Sequence, residues 1–334
     1  MGKNMEIEQD VDSNSSHQKA VLSSTVVIAG PSSLDLATNI SIAMGVSLIC
    51  PELRVFSDGE SKIRIKEELK NKPCVIVQSA YPPQVDRHIL QTLMLLKKCV
   101  DDSAKNIVIV VPYMAYARQD NAFLEGEVVT TELIANMYEI FGAHNMVTVD
   151  IHSLRALSYF EERMHSINVS AVPLLAEYAK SKFGIKMNNS VTISPDEGGF
   201  NRAQSFARHL DNNVICMKKT RNRSTGEVNV DYSSSLHKDR IRGQDIVIID
   251  DIVSTGNTII KTAEILKSDG CKGVIVMCSH ALMTEESAKQ IKAAGVDKIV
   301  TTNSVPKSTA IGAFVETIDL SPLIAPAISK IIAW

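Results

Sequence analysis

Short β-branched runs recur along this chain, and they restrict its fold more than any other feature. They read TVVIAG at 25–30, CVIVQSA at 74–80, IVIVVPY at 107–113 and MVTVDIH at 146–152. The series continues with VTISPD at 191–196, IVIIDD at 246–251, VIVMCSH at 274–280 and KIVTTNS at 298–304. Most are apolar on successive residues rather than alternate ones, so the strands they predict are covered on both faces. Amphipathic stretches lie between them. In HILQTLMLLKKCV, Ile89, Leu93, Leu96 and Val100 recur at helical spacing, with Leu90 widening the stripe, and ESAKQIKAAG stops at Gly295. Buried strands alternating with helices give parallel sheets flanked by helices, an α/β fold.

Eight such strands crowd a single sheet, and 334 residues suffice for two domains. The expected division is a disordered polar tail over 1–20, a first domain over 21–168 and a second over 169–334. The strand ends MVTVDIHS and IVIIDDIVS echo one another, which suggests an internal duplication. A net charge of −3 speaks against a nucleic-acid partner, which calls for a strong basic excess. No apolar run is long enough to span a membrane, and the N-terminus lacks an apolar signal core. Six cysteines with no C-x-x-C pair read as buried free thiols of a cytoplasmic protein.

Open α/β sheets bind ligands beyond the carboxyl ends of their strands, and the polar clusters of this chain fall there: YARQD, DIH, SPDEGG and DDIVSTGNT. The last is the most informative. Ser254, Thr255, Asn257 and Thr258 surround Gly256 just before a helix, so amides and hydroxyls form an anion cradle. Asp250 and Asp251 beside that cradle suit sugar hydroxyls or a phosphate-bound Mg²⁺. Together they fit a ribose phosphate, with phosphate in the turn and ribose hydroxyls on the two acids. FSDGE, residues 56–60, offers an aromatic face with acceptors for an adenine amine. Arg118 in YARQD can stack on a base or clamp phosphate. Neither G-x-x-x-x-G-K-[ST] nor G-x-G-x-x-G occurs, so any ATP site is of another kind.

The DDIVSTGNT string resembles the ribose-phosphate loop of the phosphoribosyltransferase superfamily. The ordered set FSDGE, PYMAYARQD, VDIHS, SPDEGG, KKTR and DDIVSTGNT closely resembles the ribose-phosphate pyrophosphokinase family across residues 25–325. That resemblance implies two similar phosphoribosyltransferase-like domains, an ATP side first and a ribose 5-phosphate side second. It implies transfer of the pyrophosphoryl group of ATP to the C1 hydroxyl of ribose 5-phosphate, with Mg²⁺. By the family's motifs, Phe56, Asp58 and Glu60 match an adenine loop supplied by a neighbouring subunit. Arg118 and Gln119 match ATP-binding residues, and His152 a histidine that contacts ATP phosphate and metal. Asp196 matches a metal-associated acid, while Gly198 and Gly199 match the backbone that approaches pyrophosphate. Lys219 and Arg221 match the catalytic basic pair of a lid over 218–229, and Asp250, Asp251, Ser254, Thr255, Gly256, Asn257 and Thr258 the ribose 5-phosphate site. A homo-oligomer built on a dimer with a shared ATP site is implied.

Ser254 stands where bacterial and animal members usually carry Asp, and STG and MKKTRN are more similar to the archaeal branch. Two other readings remain at this stage. One is a phosphoribosyltransferase with an added domain, which leaves FSDGE and YARQD without purpose. The other is a non-catalytic regulatory paralogue associated with a synthetase; the retained Lys219, Arg221, His152 and Asp196 argue against it.

Overall fold

The computed structural model describes residues 24–184, 189–221, 228–231, 236–306 and 309–332; the expected tail over 1–20 lies outside them. The strands are β1 Val26–Ala29, β2 Ser47–Ile49, β3 Glu52–Val55, β4 Ser61–Arg64, β5 Pro73–Val77, β6 Lys105–Val111, β7 Asn145–Val149 and β8 His165–Val169. They continue as β9 Ser190–Ser194, β10 Asn213–Cys216, β11 Lys218–Arg221, β12 Val228–Asp231, β13 Asp245–Val253, β14 Gly273–Ala281, β15 Lys298–Thr302 and β16 Val315–Ile318. All eight runs read from the sequence are strands.

The chain divides into two compact units. The first ends at Val169 and takes back the segment from Asp319 onward; the second is Ser170–Ile318. The second domain, expected to run to 334, therefore stops at Ile318. The helix Ser321–Ile332 explains why. Its Ile324, Ala325, Ile328, Ile331 and Ile332 are buried, and it packs on the helix Leu34–Met44 and on β6, β7 and β8. The Asn106 amide donates to the carbonyl of Ile332 at 3.4 Å.

Each unit holds a six-stranded, wholly parallel sheet, ordered β2-β1-β5-β6-β7-β8 in the first and β10-β9-β13-β14-β15-β16 in the second. The two orders match strand for strand. Each unit also inserts an antiparallel two-stranded ribbon after its second sheet strand, β3–β4 and β11–β12. The duplication suggested by the strand-end echo thus appears as one topology drawn twice.

In the first unit β1 and β5 are buried throughout and β6 over its last five residues; in the second, β9 is buried throughout and β13 nearly so. Val191, Ile193, Ile246, Ile248, Val274, Val276 and Ile299 build the second core, against Ile259, Ala263 and Leu266 of the helix Asn257–Ser268. Of the cysteines, Cys74, Cys99 and Cys278 are buried free thiols as expected, Cys216 and Cys271 are half-buried, and Cys50 is exposed.

Candidate functional site

In the second unit the site grows from the unequal lengths of neighbouring strands. β9 pairs with β13 only as far as Ile193 opposite Ile248. On its other side β13 stays paired with β14 through Val253 opposite Ala281. The acids expected beyond the strand therefore lie inside it, on the stretch that has outrun β9. Asp251 is buried and Asp250 half-buried, in a notch that opens where β9 leaves the sheet.

The loop after β9 fills one side of that notch. Asp196 Oδ1 accepts from the amide of Gly199 at 3.0 Å, and Ser194 Oγ donates to the Asp196 carbonyl at 2.7 Å. A Cβ at Gly199 would lie 3.1 Å from Ser194 Oγ, so a side chain there would press on the Ser194 hydroxyl. The helix Phe200–Leu210 follows directly. From its first turn Arg202 reaches back, with Nη1 3.6 Å from Asp250 Oδ1 and 3.4 Å from Asp251 Oδ1. Burial, with the Asp251 carboxylate next in weight, pushes the Asp250 carboxyl well above the usual carboxylate range, and the Arg202 guanidinium pulls it back. Sequence reasoning missed Arg202. Its signal was present: a cation three residues past Gly199 faces the loop across the first helical turn.

Past the acids, the chain turns at Gly256 into the helix Asn257–Ser268. No side chain caps that helix, so its first amides are available to an anion, as the sequence predicts. Ser254 and Thr258 are half-buried, while Thr255 and Asn257 are exposed. Lys219 and Arg221 lie on β11, opposite Val230 and Val228 of β12. The stretch expected to form the lid thus begins and ends on paired strands; the two side chains and residues 222–227 fall outside the described residues.

In the first unit the corresponding strand ends carry YARQD and DIHS. After β6, Tyr116 has a positive φ of 62°, its hydroxyl donates to Asp86 at 2.6 Å, and its carbonyl accepts from Thr131 at 2.6 Å. These bonds fix a turn that leaves Arg118 and Gln119 exposed. Gln119 Oε1 accepts from Thr130 at 2.7 Å, beside a recess of about 270 Å³ lined by Gln119, Asn121, Phe123, Glu127, Val128 and Thr130. After β7, Asp150 holds a φ of 38°, a left-handed conformation costly for a residue with a side chain. His152 follows on the surface. Ser153 caps the helix Leu154–Glu161, accepting from the Ala156 amide at 2.9 Å, and its hydroxyl donates to the Asp120 carboxylate. That bond ties the two motifs, so Arg118, Gln119 and His152 stand on joined loops.

Phe56, Asp58 and Glu60 sit apart, at the tip of the β3–β4 ribbon. Glu60 donates its amide to Asp58 Oδ1 at 3.1 Å, and the Arg54 guanidinium lies 4.7 Å above the Phe56 ring. Among the described residues no hydrogen bond or ion pair joins this tip to Arg118 or Gln119.

Comparison with known proteins decides the family. Residues 25–142 match the N-terminal domain of ribose phosphate pyrophosphokinase, and residues 170–311 match the phosphoribosyl transferase domain. A ribose-phosphate pyrophosphokinase of Sulfurisphaera tokodaii is 34% identical over 300 residues, spanning 90% of this chain and 99% of the relative. The chain belongs to the ribose-phosphate pyrophosphokinase family. A member from Methanobrevibacter smithii is 34% identical over 286 residues, 84% of this chain and 94% of its own. Among solved structures, phosphoribosylpyrophosphate synthetase from Mycobacterium smegmatis shares the fold with a TM-score of 0.82 at 24% identity, covering 92% of this chain and 98% of that one. Membership accounts for both halves, including the one that a phosphoribosyltransferase with an added domain would leave unexplained. No described helix is long and apolar enough to cross a membrane.

Proposed function

We propose that this member of the ribose-phosphate pyrophosphokinase family transfers the pyrophosphoryl group of ATP to ribose 5-phosphate. The C1 hydroxyl oxygen bonds to the β-phosphorus, the bond from that phosphorus to the α–β bridging oxygen breaks, AMP leaves, and the hydroxyl proton passes to solvent. The observation that carries the reading is the pairing of the uncapped Gly256 turn with the carboxylates of Asp250 and Asp251 on one overhanging strand. Amides and hydroxyls of Ser254, Thr255, Asn257 and Thr258 receive the 5-phosphate. Asp250 and Asp251 accept the ribose hydroxyls, which holds the sugar at a fixed distance from its anchored phosphate.

Arg118 and Gln119 hold the nucleotide, with Phe56, Asp58 and Glu60 of a second copy on the adenine, in a homo-oligomer built on a dimer. Lys219 and Arg221 stabilise charge on the transferring group, and the lid they belong to excludes water. Gly198 and Gly199 let the loop backbone approach pyrophosphate. No cluster of three or more metal-ligating side chains occurs among the described residues. Mg²⁺ keeps several waters and needs only one or two protein ligands beside substrate phosphates. The family's motifs mark His152 in the first unit and Asp196 in the second as metal-contacting positions, and Mg²⁺ when bound would neutralise phosphate charge. Six free thiols suit a reducing cytoplasm.

The test is release of AMP from ATP with and without ribose 5-phosphate. We expect AMP only with both substrates, in step with phosphoribosyl pyrophosphate. AMP formation indifferent to ribose 5-phosphate overturns the reading.

A further inference from the structure

Two adjacent residues on a β-strand point to opposite faces of the sheet, yet Asp250 and Asp251 both reach one nitrogen of Arg202. A free strand edge permits this, because a group level with the sheet there can meet side chains from both faces. β9 provides the edge by ending at Ser194. The chain then loops through Asp196 and re-enters as the helix Phe200–Leu210, whose first turn brings Arg202 to both acids. Its side chain is only 16% exposed, and those of Asp250 and Asp251 are 20% and 6% exposed.

We propose that Arg202 is a positioning residue of the ribose 5-phosphate site, its guanidinium bridging Asp250 and Asp251 and holding both carboxylates aimed at the ribose hydroxyls. The inference rests on the assignment of that site above and adds a residue to it. Three observations support it. Two carboxylates on successive residues repel, and Asp196 adds to the negative field on Asp250; a half-buried pair of this kind needs a counter-charge to stay ionised. On the other flank the partner directly opposite Asp250 carries no charge. The register partner of Asp250 is Cys278, buried, with its thiol pushed up to about 12 by burial and so neutral. Asp250 Oδ1 also accepts from the amide of Asp251 at 2.9 Å, which fixes that carboxylate within ion-pair distance of Arg202. Both carboxylates meet a single nitrogen of a permanently charged guanidinium, so the bridge rests on that charge and on the reach of the side chain from the first helical turn.

The experiment compares Arg202→Met and Arg202→Lys with the unchanged protein by calorimetry, using ribose 5-phosphate and inorganic phosphate as separate probes, and by steady-state kinetics. We expect Arg202→Met to weaken ribose 5-phosphate binding about tenfold or more. It should raise KM for ribose 5-phosphate, leave KM for ATP within about twofold, and leave inorganic phosphate affinity unchanged, because the Gly256 turn is intact. Arg202→Lys should recover part of the loss. Unchanged ribose 5-phosphate affinity in Arg202→Met overturns the proposal. So does an equal loss for inorganic phosphate, which would make Arg202 a phosphate ligand, or a loss of ATP and ribose 5-phosphate alike in both variants, which would make it a fold residue. Asp250→Asn with Asp251→Asn separates the two levels. If that pair also leaves ribose 5-phosphate binding intact, the site assignment fails; if it weakens binding while Arg202→Met does not, only the role of Arg202 fails.

Discussion

At position 256 two independent constraints coincide. The backbone stands at φ 76°, which costs a side-chain-bearing residue about 1–2 kcal/mol. A Cβ there would also lie 2.5 Å from Ile291 Cδ1. Gly256→Ala should therefore lower stability by roughly 1–3 kcal/mol and weaken ribose 5-phosphate binding by reshaping the turn. Adding Ile291→Ala should relieve the clash but not the φ cost, so binding would recover only in part. A Gly256→Ala protein with the parent's urea midpoint and ribose 5-phosphate affinity would refute this. Away from the site, Glu316 accepts from the Tyr178 hydroxyl at 2.6 Å and pairs with Lys298 at 2.9 Å. The Tyr178 bond, with Lys298 next, holds its carboxyl below the ordinary 4.5. A carboxylate with a depressed folded value stabilises above its unfolded value, and that gain is lost as pH falls through the folded one. Glu316→Gln should thus be less stable than the parent at neutral pH, and the difference should shrink below about pH 4.5. Urea midpoints at the two pH values test the sign; a constant difference would rule out the linkage.

At the scale of elements, the two ribbons β3–β4 and β11–β12 occupy equivalent places in the two units. Each carries residues the family's motifs mark as functional, Phe56 to Glu60 on one and Lys219 and Arg221 on the other. If β11–β12 borders a lid that acts on the transferring group, Lys219→Ala should cut kcat by roughly 10³-fold while KM for ribose 5-phosphate changes little. An unaltered kcat removes Lys219 from the chemistry. How legible each element was follows from its burial. Central strands such as β5 and β13 sit between neighbours and under helices, so their sequence is an unbroken apolar run. β2, β8, β10 and β16 close the sheet edges, where one side faces solvent and the burial pattern is broken. Polar residues are tolerated there, and no run announces them. The Gly256 turn was legible because its glycine and hydroxyls are local in sequence. Arg202 was not, because its meaning comes from a strand 48 residues later in the chain, and only the sheet order brings the two together.

At the scale of the whole molecule, one topology appears twice but the copies have diverged in what their ribbons offer. On β3–β4, Leu53, Val55 and Phe56 are 40%, 43% and 36% exposed. An isolated two-stranded ribbon is marginal in water, and cover over these apolar side chains would stabilise it. A second copy is the partner the proposed shared site requires, with Phe56 of one chain completing the nucleotide site that Arg118 begins on another. Phe56→Ala and Arg118→Ala should each raise KM for ATP when prepared alone. Mixed, unfolded together and refolded, the two variants should regain activity. In a two-fold symmetric pair, a mixed dimer places both lesions in one site and leaves the other whole, so random pairing yields intact sites at about a quarter of the total. Recovery of ATP turnover toward that fraction supports exchange of the ribbon between copies. A mixture no more active than the sum of its parts would mean that each chain binds ATP with its own residues alone.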